Sequence, residues 1–263
     1  MLVPFHIALV GLMMARGVVP VVPAPDKLTG LGSDESGARR PVLVELFTSE
    51  GCSSCPPADA LLAKLDATQF VPGAQAIVLS EHVTYWNQDG WHDPFSLDAM
   101  TDRQAKYVLR FGLPSSYTPQ MVVDGEAEMV GSDANKLVKA VEKAAATSKP
   151  ELAIQSAQWS GDAVKFVVKG AADSKTELVA VLAEDSAQSS VAKGENAGKS
   201  LRHVAVVRVM AEMGKGADDG RALTLKAPAG NKPGSGAIRL VVFVVDRHNG
   251  HVLTAAEKTI SRS

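Results

Sequence analysis

The chain has only two cysteines, Cys52 and Cys55, three positions apart in the run Thr48-Ser49-Glu50-Gly51-Cys52-Ser53-Ser54-Cys55-Pro56-Pro57. A bridge closing so short a loop removes little chain entropy and makes a poor staple. The same spacing suits thiol–disulfide exchange or metal binding. In exchange, a thiolate attacks a disulfide sulfur, and the mixed disulfide it forms is released when a second thiolate attacks in turn. Cys52 is expected to be the more exposed, attacking thiol and Cys55 the resolving one. The chemistry requires a positive local potential, which the unpaired N–H groups of a helix N-terminus supply. Glu45, Glu50 and an acidic local balance act in the opposite sense, favouring the protonated thiol.

The surrounding pattern provides such a helix. Val42 to Phe47 is a β-branched and aromatic run with the length of a buried strand. After the cysteines, Ala58–Ala67 carries Leu61, Leu62 and Leu65 at helical spacing, and the prolines ahead of it are tolerated at a helix start. Ala76–Ser80 reads as a second buried strand, 81–95 as an irregular aromatic-rich segment and 96–111 as a helix. Tyr117-Thr118-Pro119-Gln120 then leads into Met121-Val122-Val123, a turn at Asp124-Gly125-Glu126, a short run at Met129-Val130 and a helix over about 133–147. Beyond Pro150 seven short apolar or alternating runs, from Leu152 to Ile260, are separated by Gly, Asp, Asn and Ser, with a hairpin signal at His248-Asn249-Gly250. The expected architecture is an α/β domain at 41–148 followed by a small all-β, sandwich-like domain at 150–263.

Composition narrows the classes. With 46% apolar and 21% charged residues and a net charge of −2, the chain has material for a core and no basic excess that would point to nucleic acid. Residues 41–148 carry 7 Lys/Arg against 14 Asp/Glu, net −7, while 149–263 carry 16 against 12, net +4, a contrast that favours docking of one half on the other. The apolar run at 7–15 is too short to span a bilayer but has the length of a signal-peptide core, and the Pro-, Gly- and Ser-rich stretch after it reads as a linker. Residues 1–40 are therefore expected to be a signal-like segment and linker with no stable membrane span, and the mature protein to be periplasmic or secreted, where disulfides persist.

The order of elements from Val42 to Thr147 resembles the thioredoxin fold, in which a proline, usually cis and here matched by Thr118-Pro119, sits against the cysteine pair. More narrowly, Glu45–Ala58, His82-Val83-x-Tyr85-Trp86, Gly90-Trp91-x-Asp93-Pro94-Phe95-Ser96, Arg103-Gln104-x-x-Tyr107, Tyr117–Gln120 and Gly194-x-Asn196-x-Gly198-Lys199-x-Leu201-x-His203 resemble the secreted thioredoxin-like family catalogued as domain of unknown function 1223. Thr84 departs from that pattern, which has an acidic residue there. The resemblance implies Pro119 beside the cysteines and Thr118 as an auxiliary residue; Glu45 is a candidate proton acceptor for Cys55, as an acidic residue near the motif is in thioredoxins, with a surface or structural carboxylate as the competing reading. Ser53-Ser54 between the cysteines and Gly51 before them differ from the well-studied reductants, so the pair's direction is left open.

The remaining candidates have competing readings. His82 follows a strand end, the edge where α/β folds gather their sites. Together with His92 and the two cysteines it forms a possible ligand set for zinc or copper; the plainer reading is a hydrogen-bonded histidine in a packed aromatic insertion. Trp86, Trp91 and Phe95 suit a local core, while Trp86, Trp91 and Tyr117 are also candidates to line a substrate cleft. Arg103 and Tyr107, four apart on one helical face, suit an ion pair or hydrogen bond. Gly194–Ser200 has three residues between its glycines where a phosphate loop needs four, and reads as a glycine-rich turn. The expected function is extracytoplasmic thiol–disulfide exchange with a protein thiol or disulfide and no cofactor. A metal-binding protein and a noncatalytic binding module with a structural disulfide are the alternatives.

Overall fold

Strand β1 (Arg40–Thr48) is buried along nearly all its length, which is why its sequence is almost continuously apolar and does not alternate. It pairs in parallel with β2 (Ala74–His82) and antiparallel with β3 (Gln120–Val123), which turns at Asp124 and Gly125 into β4 (Ala127–Val130). Between β1 and β2 runs helix α1 (Pro56–Thr68), started by its two prolines and ended at Gln69, whose left-handed backbone lets its N–H reach the Leu65 carbonyl. Helix α2 (Asp98–Phe111) ends on Gly112 in the same conformation, and α3 (Ala134–Ala146) is capped by the Asp133 carboxylate, which accepts from the Lys136 N–H.

The computed structural model describes residues 1–2, 39–170, 174–215, 220–227 and 236–261. The signal-like segment and linker expected over 1–40 fall almost wholly outside these. Among the described residues no helix is long and apolar enough to cross a membrane.

Side-chain alternation along β1 separates two faces. On one face the Thr48 hydroxyl donates to Asp59 of α1 at 2.9 Å, and Leu46 on that face packs near Ala58. Glu45 and Phe47 face the other way, towards Arg103 and Tyr107 of α2. Leu137, Val141 and Ala145 of α3 join Ala58, Leu62 and Leu65 of α1 in one apolar cluster.

The second half consists of β5 (Leu152–Ser160), β6 (Ala163–Gly170), β7 (Thr176–Ser190), β8 (Ser200–Lys215), β9 (Arg221–Lys226), β10 (Ile238–Asp246) and β11 (Val252–Ile260). β5, β6 and β9 form a three-stranded sheet whose Val164, Phe166 and Val168 pack on Leu178, Ala180 and Leu182 of β7 and on Leu240, Val242 and Val244 of β10. This gives two β layers, as a sandwich requires. The other layer is shared with the first half, however. A single eight-stranded sheet runs β11-β10-β7-β8-β2-β1-β3-β4, with β8 joined in parallel to β2 at Ser80 and Val206. The boundary expected at 148–150 therefore does not divide two sheets, and the described residues from 39 onward belong to one unit. Backbone pairing is independent of sequence distance, so a late strand can extend an early sheet without a sequence signal. Ion pairs cross the same line in the direction of the charge contrast. Arg239 holds both oxygens of Asp66 at 2.6 and 2.8 Å, and Lys149 holds Asp124 at 2.6 Å.

Gly131 marks where β1, α1 and the Thr118-Pro119 segment meet. A Cβ there would lie 2.8 Å from a Leu46 methyl, 3.0 Å from Pro119 Cβ and 3.1 Å from Ala58 Cβ. Overpacking of this kind costs about 1–3 kcal/mol. Gly131→Ala is expected to lower the unfolding free energy by that amount, read as a drop in denaturant midpoint at unchanged slope; an unchanged midpoint would mean that the three elements are loosely packed there.

Candidate functional site

β1 delivers the chain into a tight backbone path. The Cys52 N–H donates to Ser49 O and the Cys55 N–H to Cys52 O, so that Cys55 caps α1 from within the motif. Cys52 and Cys55 form a disulfide with their Cα atoms 5.4 Å apart. Ser53 and Ser54 are exposed, yet both cysteines have zero exposure. This corrects the expectation that Cys52 stands open as the attacking thiol.

The cover comes from the connection between β7 and β8. Its turn is closed by the N–H groups of Val191 and Gly198, which donate to Lys199 O and Val191 O. Asn196 is fully buried and donates to the carbonyls of Glu50 at 2.8 Å and Cys52 at 2.9 Å. The Glu195 carboxylate accepts from the Ser53 N–H at 3.0 Å, and the Ser53 side chain, followed by this N–H, holds its pKa below the usual carboxylate value. The segment read from sequence as a glycine-rich turn is thus the lid of the cysteine motif.

Trp86 supplies the opposite wall. A side chain on Gly51 would lie 3.1 Å from Trp86 Cβ, and the Trp86 indole N–H donates to Thr118 Oγ1 at 2.7 Å. Trp86 therefore brings the cysteine motif and the cis Thr118-Pro119 segment together. Tyr117 donates its hydroxyl to Glu128 at 2.6 Å, and burial together with that carboxylate raises its pKa. Its carbonyl accepts from Gln104, which also accepts from Tyr85. Trp91 lies under the lid, its indole donating to Glu50 at 2.9 Å.

Beneath the motif lies a buried charged network. Glu50 accepts from Trp91, from the Ser189 hydroxyl and, at 3.2 Å, from Nε2 of His203. His203 Nδ1 lies 3.8 Å from Asp59, one helical turn after Cys55. Burial pulls the His203 pKa down, but Asp59 and Glu50 outweigh it and push it up to about 9. His82 stands edge-on to His203 with centroids 4.6 Å apart, and its Nδ1 meets Asp93 at 2.7 Å. Burial would raise the Asp93 pKa; the His82 charge and hydrogen bond, with the N–H groups of Glu50 and Phe95, lower it to about 2.

Other sequence candidates lie elsewhere. Both Glu45 oxygens are engaged at 2.6 Å, by Arg103 and by the Tyr107 hydroxyl, on the sheet face opposite α1, so its carboxylate is not turned towards Cys55. Next to it, burial and the Glu45 charge raise the Glu81 pKa well above normal, against the lowering effect of Arg103. His92 is exposed and lines a separate cavity of about 560 Å³ with Thr84, Asn87 and Arg208. The four residues proposed as a metal set are not gathered: the cysteines are joined to each other, and no cluster of three or more His, Cys, Asp or Glu suited to a metal occurs among the described residues. Sequence reasoning gave Asp59, Asp93, Asn196 and His203 no role at the site. Asp59 carried a local signal, its spacing of four from Cys55, and Asp93, Asn196 and His203 stood in the motifs that carry the family resemblance, which marked them without giving their roles.

The family model described as "Protein of unknown function (DUF1223)" matches residues 43–245. The chain belongs to this family. A crystal structure of protein AGR_C_4864 from Agrobacterium tumefaciens is similar at 25% identity and a TM-score of 0.60, covering 84% of this chain and 94% of that one. OgpA from Akkermansia muciniphila aligns at 12% identity and a TM-score of 0.26, covering 43% of this chain and 28% of that one. No curated protein matches the chain.

The elevated His203 pKa fixes a sign. A histidine with a raised folded-state pKa contributes stability that is complete below its unfolded value near 6.5 and is lost as pH rises through the folded value. A shift to about 9 corresponds to roughly 2–3 kcal/mol at neutral pH. His203→Gln is expected to be less stable by about that much near pH 7, with the gap to the parent closing as pH climbs past 9 in denaturant titrations; a gap independent of pH would remove the imidazolium from the account.

Proposed function

We propose that this protein is an extracytoplasmic thiol–disulfide oxidoreductase of thioredoxin-like type, working through Cys52 and Cys55. The observation that carries the reading is the convergence of a formed Cys52–Cys55 disulfide, the N-terminus of α1, Trp86 and the Thr118-Pro119 segment at one place. The strand order β2-β1-β3-β4, with α1 leaving the cysteine motif and Thr118-Pro119 feeding β3, supports the fold assignment.

In the oxidised state a substrate thiolate attacks Cys52 Sγ. The Cys52–Cys55 bond breaks, and Cys55 leaves as a thiolate favoured by the helix N-terminus and then takes a proton. A second substrate thiolate attacks the substrate sulfur of the mixed disulfide, forming the substrate disulfide and releasing Cys52 as a thiolate. The reverse sequence reduces a protein disulfide. Pro119 shapes the wall of the site, and the periplasm or cell exterior provides the oxidising compartment. The exchange itself calls for no cofactor. The complete burial of both cysteines favours a second reading, a noncatalytic module with a structural bridge.

A glutathione titration scored by alkylation mass shift at Cys52 and Cys55 separates the two. A reversible couple between roughly −270 and −120 mV is expected for the oxidoreductase, whereas a pair still oxidised below about −300 mV is structural. Cys52→Ser is expected to abolish exchange while leaving the far-ultraviolet spectrum intact; persistent exchange in that variant would rule out the assignment.

A further inference from the structure

The lid is bonded to the backbone on either side of Cys52. Around Cys52 the backbone offers one donor, the Ser53 N–H, and two acceptors, the carbonyls of Glu50 and Cys52. Each is met by a side chain of the lid: the donor by the Glu195 carboxylate, and the two acceptors by the Asn196 carboxamide N–H groups. A primary carboxamide offers the same kind of N–H donor as a peptide bond, two from one nitrogen where a polypeptide supplies one per residue, and a carboxylate oxygen can stand where a peptide carbonyl would. The lid is tied down in turn. Lys199 donates to Asn196 Oδ1 at 2.9 Å, and Gly194, at a φ of +76°, fits against Asp89 O and Trp91 so closely that a Cβ would lie 3.2–3.3 Å from them.

We propose that residues 194–199 are a resident occupant of a polypeptide-docking edge formed by Glu50, Cys52 and Ser53, and that an extended, cysteine-bearing peptide displaces them to reach the disulfide. The inference rests on the exchange reading and names its partner class: a polypeptide segment recognised through its main chain, with one carbonyl for Ser53 and N–H groups for Glu50 and Cys52. Main-chain recognition of this type gives affinity with little dependence on side-chain identity. It also gives the zero exposure of the cysteines a role, since small oxidants and reductants are kept from the sulfurs until a peptide competes for the edge.

The test uses the full chain, oxidised, with Asn196→Ala, Glu195→Ala and the double substitution, and Asp133→Ala, which removes the cap of α3, as a destabilised control away from both the lid and the cysteines. Reduction is followed by alkylation mass shift with three probes: a small monothiol, an extended cysteine peptide, and the same peptide N-methylated beside its cysteine. The lid variants are expected to react about 10-fold faster with the small thiol, and the control variant is not. The N-methylated peptide is expected to react about 10-fold slower than its parent peptide, because it lacks the donor that replaces the carboxamide of Asn196. Exchange that occurs at equal rates in parent and lid variants, or with both peptides, overturns the docking inference and leaves the oxidoreductase standing. No exchange with any probe in any variant overturns the oxidoreductase reading, and the docking inference with it. Protection of the Ser53 amide against hydrogen exchange, lost in Glu195→Ala, reports lid opening independently of redox chemistry; an amide exposed already in the parent overturns the inference.

Discussion

The Glu50 carboxylate has no contact with solvent, and a buried carboxylate is tolerated only when its charge is matched and its lone pairs are filled. Here those partners are drawn from three parts of the chain. Trp91 comes from the aromatic insertion, Ser189 from the end of β7 and His203 from β8. The Glu50 backbone N–H is held by Asp93, which is in turn the partner of His82. Satisfying this one group fixes the insertion, the β7–β8 strands and the cysteine motif relative to one another. It also places the connection between β7 and β8 against the backbone of Glu50, Cys52 and Ser53. Removing one member of such a network leaves the others buried without partners, which ties the geometry of the cysteine pair to residues more than a hundred positions away.

The joining of the two halves follows the same logic on a larger scale. A parallel sheet needs cover on both faces, and β1 and β2 obtain it from α1 and α3 on one side and α2 on the other. β8 closes the remaining edge of β2, which would otherwise present unpaired backbone groups. β7 and β10 in turn carry alternating cores, one set of side chains facing the shared core and the other facing the three-stranded sheet. Arg239 bridging Asp66 and Asp185, and Lys149 on Asp124, locate the charge contrast of the halves at specific contacts.

On the α2 face, Glu45 and Glu81 are buried side by side with Arg103 and Tyr107. One guanidinium among two carboxyl groups leaves Glu81 favouring its neutral form, while Glu45 takes the strong hydrogen bonds. The cluster lies across the sheet from α1 because Glu45 has odd parity relative to Thr48, and parity decides the face of a strand residue. The carboxylate on the α1 side of the sheet is Asp59, a residue of α1 itself, one turn after Cys55 and within reach of His203.

Much of this protein is legible in its sequence. The apolar runs locate the strands, closely for β1, β10 and β11 but only in part for β5, β7 and β8, which extend well beyond their apolar runs, because burial on one or both faces imposes a period that a local window can read. The helices at 56–68, 98–111 and 134–146 follow from apolar spacing and from the prolines tolerated at a helix start. Two cysteines three apart at a helix start are a local pattern, and the bridge between them is local too. What tertiary structure alone decided is everything that depends on pairing across the chain: one sheet spanning both halves, both cysteines buried, Asn196 and Glu195 on the Cys52 backbone, and His203 between Glu50 and Asp59. These contacts join residues about 140 to 150 positions apart, and nothing in a hydrogen bond requires its partners to be periodic or near in sequence. A histidine in a β run and an asparagine in a glycine-rich turn look the same whether they face solvent or a disulfide, and only the folded sheet distinguishes them.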